Sequence, residues 1–248
     1  MKFASINIET NLHYGTLFSF LEKEKPEVIC MQEVIEDDLP FLKEKIGMPY
    51  VFTVCNYWDY DNKRYNNIYG KRYGLAIFSK NILENKAHYY FGNEENTKVS
   101  FEEYLPNREN LRNFPFLYAL VKGEDGKKYQ IVTTHFPVTK HGESSPYQLQ
   151  MLKPFFEGLD TVGDFVLCGD FNAPRGNETF TRIANRYKDN IPEHYKTSID
   201  NNIHNAENII MFVVDGLFTT DKYKAENVKL VDGVSDHMAV VAEIISNY

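Results

Sequence analysis

The sequence predicts an α/β (α+β) fold of two mixed β-sheets packed face to face, with helices on the outside. Three observations lead there. The chain opens as strand, helix, strand, the order of a βαβ unit. A long series of short strands and turn signals follows, which does not suit a doubly wound parallel sheet. No internal repeat, low-complexity tract or Pro/Gly/Ser linker divides residues 1–248, so a single domain is expected.

The elements follow in order. Phe3 to Glu9 alternates apolar and polar residues as a strand does. Gly15 to Lys25 carries Leu17, Phe18 and Leu21 at helical spacing, and Pro26 stops it. Glu27 to Gln32 is a short apolar strand, and Asp37 to Ile46 a second helix. Tyr50 to Val54, Tyr73 to Ser79 and Ala87 to Phe91 read as strands. Leu117 to Lys122 and Tyr129 to Phe136 flank Glu124-Asp125-Gly126, a hairpin turn signal. Helices are expected over Gln148 to Leu159 and Thr179 to Tyr187. The remaining strands are Asp164 to Cys168, Ile209 to Phe218, Ala225 to Val231 and Ala239 to Ile245.

Bulk properties narrow the function. A chain of 248 residues with 43% hydrophobic content buries a substantial core without staples, and its 15% aromatic share suits a strand-rich interior. The net charge of −8 argues against a protein that coats nucleic acid by blanket phosphate neutralisation. A phosphate-bearing partner must be held locally, by a metal or a small basic cluster. Cys30, Cys55 and Cys168 are scattered with no CxxC spacing, which suggests a reducing compartment. The start lacks the apolar region of a signal peptide, and no apolar run is long enough to span a bilayer. The expectation is a cytoplasmic protein with no stable membrane association; the sequence leaves the oligomeric state open.

Two long connections stand out, Asn56 to Arg72 and Asn93 to Pro115, because structureless loops of that length are usually functional or mobile. The first holds Tyr57, Trp58, Tyr60, Tyr65 and Tyr69, with Lys63, Arg64, Lys71 and Arg72 against Asp59 and Asp61. It is either a solvated loop anchored by its aromatics or a substrate rim, where rings stack on bases and cations meet phosphate. On the second reading Trp58, Lys71 and Arg72 are candidate substrate-binding residues.

Polar, metal-competent residues recur at strand ends. They are Ile6-Asn7-Ile8-Glu9, Cys30-Met31-Gln32-Glu33, Thr133-Thr134-His135, Gly169-Asp170-Phe171-Asn172, Asp215 within an apolar run, and Ser235-Asp236-His237. A single strand-end Asp or Asn often only makes a turn. Six such segments together present the carboxylates, amides and imidazoles that bind a hard cation and move protons.

In order and spacing these segments resemble the endonuclease/exonuclease/phosphatase superfamily, from Asn7 to the last strand. Gly-Asp-Phe-Asn and Ser-Asp-His are specific when found together at this separation. Gln32 to Ile35 and Tyr73 to Lys80 also match family strands, and the Val-Ile after Gln-Glu leans toward the tyrosyl-DNA phosphodiesterase 2 branch. The resemblance implies a four-layered, DNase I-like α/β sandwich and a Mg²⁺-dependent phosphodiesterase, with Mn²⁺ as a possible substitute. It implies that Glu33 is the principal metal carboxylate, helped by Asp236 and by Asn7 through water. Asp170 and Asn172 would orient the attacking water and hold a phosphate oxygen. His237, its tautomer fixed by Asp215, would act as base or phosphate donor, and His135 would meet the phosphate or leaving-group side.

Three departures are visible. Glu9 stands where several branches have Asp, which leaves its metal role open. Lys71 falls where the DNase I branch has a Glu paired with the histidine corresponding to His135. Met-Phe-Val-Val before Asp215 lacks the Arg common in the family. The expected substrate is a nucleic acid or a nucleic-acid adduct, with an inositol phosphate or phospholipid (sphingomyelinase-like) as the alternative. A non-catalytic binding module would be expected to have lost some of Glu33, Asp170, Asn172, Asp236 and His237, and all are present.

Overall fold

The computed structural model describes residues 1–58, 68, 70–92, 98–99, 113–139, 142–205 and 208–247. Strand β1 (Lys2–Asn7), helix α1 (Tyr14–Glu24) and strand β2 (Val28–Ile35) form the expected βαβ unit, with β1 and β2 parallel. A 3-10 turn (Glu36–Asp38) leads into α2 (Leu39–Ile46). Then come β3 (Tyr50–Trp58), β4 (Lys71–Ser79), β5 (Ile82–Phe91), β6 (Lys98–Val99), β7 (Phe114–Lys122) and β8 (Lys128–His135). Helix α3 (Pro146–Asp160), β9 (Val166–Asp170), α4 (Glu178–Ala184), β10 (Lys188–Asp189), β11 (Asp215–Thr219), β12 (Tyr223–Val231) and β13 (Ala239–Ser246) complete the chain.

Among the described residues the strands form a seven-stranded sheet, β12-β13-β1-β2-β4-β3-β6, and a six-stranded sheet, β10-β11-β9-β8-β7-β5. Side-chain alternation sorts each strand between two environments. Phe3, Val28, Cys30, Leu75 and Ile77 of the first sheet meet Leu117, Ile131, Val166, Cys168 and Leu217 of the second in one core. Their strand neighbours Ala4, Ile6, Ile29, Met31, Ala76 and Phe78 face the other way, onto α1 and α2. Phe116, Val132, Leu167 and Phe218 likewise pack on α3 and α4. The result is a four-layered α/β sandwich, as expected. All three cysteines are free and buried, and no described helix is long and apolar enough to cross a membrane.

One polar layer interrupts the core between the sheets. Gln32, wholly buried, donates from Nε2 to Ser5 Oγ at 3.3 Å and to Thr133 Oγ1 at 2.9 Å on the opposite sheet.

Several expected boundaries move. Strand β1 stops at Asn7, because Glu9 and Thr10 take left-handed backbone conformations with φ of 44° and 62°. Residues 209–214 were expected to begin a strand, but pairing starts only at Asp215. Ile209 and Met211 in fact face solvent, and the segment is tied down by Asn201, which accepts from Ile210 N at 2.7 Å and donates to Ile210 O at 3.0 Å. An apolar run looks the same in sequence whether it is buried or exposed. Trp58, Lys71 and Arg72 belong to paired strand ends rather than to a loop, and Tyr60, Lys63, Arg64, Tyr65 and Tyr69 lie outside the described residues. Helix α3 begins earlier than expected because Ser145 caps it, accepting from Gln148 N, with Pro146 at its first turn.

Gly169 is required where β8 and β9 approach each other. Its φ is 140°, and a Cβ there would lie 2.0 Å from Thr134 O. Gly169→Ala is therefore expected to destabilise the protein by about 2–4 kcal/mol through a forced backbone shift and strained φ. Urea denaturation checks this; a loss below about 0.5 kcal/mol would show that the strands part freely.

Candidate active site

Inward-facing alternation carries four polar residues to one end of the sandwich. Asn7 continues the inward series Phe3, Ser5; Asp170 continues Val166, Cys168; His135 continues Ile131, Thr133; and Asp215 precedes inward-facing Leu217. Register lines up three of them, since Asp170 pairs with His135 on one side and with Asp215 on the other.

The Gly-Asp-Phe-Asn segment divides its duties. Gly169 permits the close approach, Asp170 points inward, and Phe171 turns outward to pack edge-on against Phe218 at 5.2 Å. Asn172 sits at φ 48°, a left-handed conformation that Asn tolerates. Its backbone N–H donates to Asp170 Oδ1 at 2.8 Å, closing an Asx turn. Its side-chain nitrogen lies 2.9 Å from Phe136 O and 3.0 Å from His135 Nε2.

Glu33 arrives by a different route. A β-bulge between Met31 and Val34 puts two residues of β2 opposite one of β4, and Glu33 takes φ 60°. That extra residue brings its carboxylate to the site, where Asn7 Nδ2 is 3.2 Å from both Glu33 Oε1 and Asp170 Oδ2. Asn7 Oδ1 accepts from Glu9 N at 3.1 Å. Asn7 thus ties the two sheets together through their carboxylates.

Around Asp170 Oδ2 stand His135 Nε2 at 3.4 Å and His237 Nε2 at 3.8 Å. His237 Nδ1 lies 2.9 Å from Asp215 Oδ2, and both residues are buried. Asp215 is held in turn by Ser198, whose Oγ accepts from its backbone N–H at 3.1 Å. Burial alone would push the Asp170 carboxyl up, but the His237 and His135 charges and the Asn172 N–H outweigh it and hold it down at about 2. Burial likewise opposes a charged His237, yet Asp215, Asp170 and Asp236 prevail and raise its pKa well above the ordinary histidine value. Both shifts favour the charged forms, carboxylate on Asp170 and imidazolium on His237.

A second group forms beside it. Asp236 accepts from Ser235 Oγ at 3.1 Å and faces Glu9 and Glu33. Burial first, and then the like charges of Glu9 and Glu33, push its carboxyl up to about 6 against the opposing pull of His237. Converging carboxylates that repel one another in this way suit a divalent cation, so the donor set fits a metal.

The site thus unites all eight central residues expected from sequence: Asn7, Glu33, His135, Asp170, Asn172, Asp215, Asp236 and His237. Lys71 lies 3.5 Å from Asp37 and Arg72 2.5 Å from Glu36, just beyond β2. Glu9, whose metal role the sequence left open, joins the site, and three further participants were not expected. Glu9 faces Asp236; His13 lies 2.9 Å from Glu9 Oε2; His204 Nε2 is 4.0 Å from Asp236 Oδ2; and buried Asp200 donates its N–H to Asp236 O at 2.8 Å. The spacing of Glu9 and His13, four residues apart, was the one signal available for any of them.

Residues 4–237 match the endonuclease/exonuclease/phosphatase family, and the chain belongs to it. That family takes in endonucleases, exonucleases and phosphatases. Among curated proteins the chain is similar to Protein angel of Drosophila melanogaster, 23% identical over 155 residues; the match covers 62% of this chain and 41% of that protein. Among solved structures it is similar to the mannosyl-6-phosphatase Bt3783 of Bacteroides thetaiotaomicron VPI-5482, with a TM-score of 0.73 at 14% identity, covering 99% of both chains. It is also similar to ANGEL2, a 2′,3′-cyclic phosphatase in complex with adenosine-2′,3′-vanadate, with a TM-score of 0.65 at 14% identity, covering 98% of this chain and 94% of that one.

Proposed function

We propose that this protein hydrolyses a phosphodiester of a nucleic acid or nucleic-acid adduct, with Mg²⁺ or Mn²⁺ held by Glu33 and Asp236. The observation that carries the reading is Asp170: a carboxylate kept ionised between two imidazoles, beside three converging carboxylates. A bound cation supplies charge neutralisation at the phosphate and the leaving oxygen. The chain's own groups do the rest. Asp170 accepts a hydrogen bond from the attacking water and aims it, with Asn172 beside it. His237, held protonated by Asp215, donates to a phosphoryl oxygen, and His135 meets the opposite side of the phosphate. The likeness to ANGEL2, in complex with adenosine-2′,3′-vanadate, favours a nucleotide.

A sugar phosphate is the second reading, favoured by the end-to-end likeness to a mannosyl-6-phosphatase. A substrate panel separates them: single-stranded DNA and RNA, a 2′,3′-cyclic nucleotide, mannose 6-phosphate, an inositol phosphate and sphingomyelin. Turnover of the nucleotide diesters is expected. Turnover confined to the sugar, inositol or lipid esters would overturn the nucleotide assignment.

The rim gives a further expectation. A stacked base contributes about 1–3 kcal/mol, so Trp58→Ala should lower kcat/KM on single-stranded nucleic acid by about tenfold. Lys71→Ala combined with Arg72→Ala should flatten its salt dependence, because fewer counterions are released. A small aryl phosphodiester should be turned over equally by all variants. Equal losses on both substrates would assign the rim to fold support.

A further inference from the structure

Helix α1 begins at Tyr14, and His13 occupies its capping position, but the His13 side chain makes no capping hydrogen bond. The ring turns instead to Glu9, with Nε2 2.9 Å from Oε2. Between β1 and α1, Glu9 and Thr10 are both left-handed, a turn of the backbone that accompanies this contact. Asp236 closes the group: one donor atom each from Glu9, His13 and Asp236 lie within 4.8 Å of one another. Glu9 and Asp236 are buried, and His13 is only partly exposed. Two carboxylates and an imidazole, converging where a third carboxylate, Glu33, also faces Asp236, form a mixed nitrogen and oxygen donor set.

Such a set discriminates between cations. Mg²⁺ favours oxygen ligands and keeps its water, whereas first-row transition ions gain from imidazole. We infer that His13 is a metal ligand, acting with Glu9 and Asp236, and that it makes the site prefer a first-row transition cation such as Mn²⁺ to Mg²⁺. This rests on the metal-dependent reading above and names the cation that reading would take.

The test measures binding rather than turnover. Mn²⁺ affinity is followed from the loss of the free-ion electron paramagnetic resonance signal, and Mg²⁺ affinity by competition, in wild type and His13→Ala. Wild type should bind Mn²⁺ at least about tenfold more tightly than Mg²⁺, and His13→Ala should lose about tenfold or more in Mn²⁺ affinity while Mg²⁺ changes little. Pulsed resonance of bound Mn²⁺ should show a nitrogen coupling that disappears in His13→Ala. A coupling that persists would assign the nitrogen to His135 or His237 and overturn the inference, as would equal losses for both ions, which would make His13 a positioning residue for Glu9. If neither ion binds wild type, the metal-dependent reading falls as well. Ion binding without a His13 effect overturns this inference alone.

Discussion

Asp170→Asn and His237→Ala are each expected to lower kcat by about two to four orders of magnitude, the scale of losing an oriented proton acceptor or an electrostatic donor. Asp170→Asn keeps the shape of the side chain but removes the charge under two imidazoles. It therefore has a second signature: the His237 pKa should fall toward the ordinary histidine range, because one of the carboxylates that raise it is gone. Imidazole chemical shifts followed against pH would report this without any substrate. Asp170 ends β9 and His237 lies just before β13, neither filling the hydrophobic layers, so circular dichroism should match wild type, with a stability change of about 1–3 kcal/mol. A folded variant with near wild-type kcat would refute the assigned role.

Chelation is expected to abolish activity, and Mg²⁺ or Mn²⁺ to restore it. Removing an outer partner of a metal ligand typically weakens binding 10–100-fold. Glu33→Gln removes a ligand itself, so rescue should need about 100-fold more metal or more. Removing the cation should also be felt by the fold, because Glu9, Glu33 and Asp236 then face one another unscreened. At a metal concentration about 100 times Kd, stability should rise by about 2.7 kcal/mol over the chelated protein. Thermal unfolding with and without metal measures it. Full activity in a metal-stripped sample would exclude the mechanism.

Much of the site was legible because it obeys the period of a strand. Asn7, His135 and Asp170 are polar residues set at the next inward position of runs that are otherwise buried, and that breach of alternation can be seen without a structure. Asp215 was visible as a charge inside an apolar run. Glu33 was named from the Gln-Glu motif, but its delivery by a bulge was not foreseeable, since an extra residue in a strand leaves no mark on composition. Glu9 and His13 depend on two successive left-handed residues, neither of them Gly, which a propensity argument would not select. Ser198 and Asp200 act through distant backbone contacts and carry no local pattern. Sheet order was equally hidden: β4 lies between β2 and β3, and β13 beside β1, pairings set by long-range packing.

The Gln32 layer has a mechanical consequence. Two apolar sheet faces can slip past each other at little cost, because dispersion attraction has no direction and each side chain finds a new neighbour as it leaves the old one. A buried amide that bonds Ser5 on its own sheet and Thr133 on the opposite one behaves differently, since a slip of one residue would strip its hydrogen bonds where no water can replace them. Gln32 is the register partner of Asn7 and lies beside Glu33, so this pin stands directly beneath the carboxylates. It opposes shear between the sheets as a way of opening and closing the site, and so favours a floor that keeps its shape as substrate enters and product leaves.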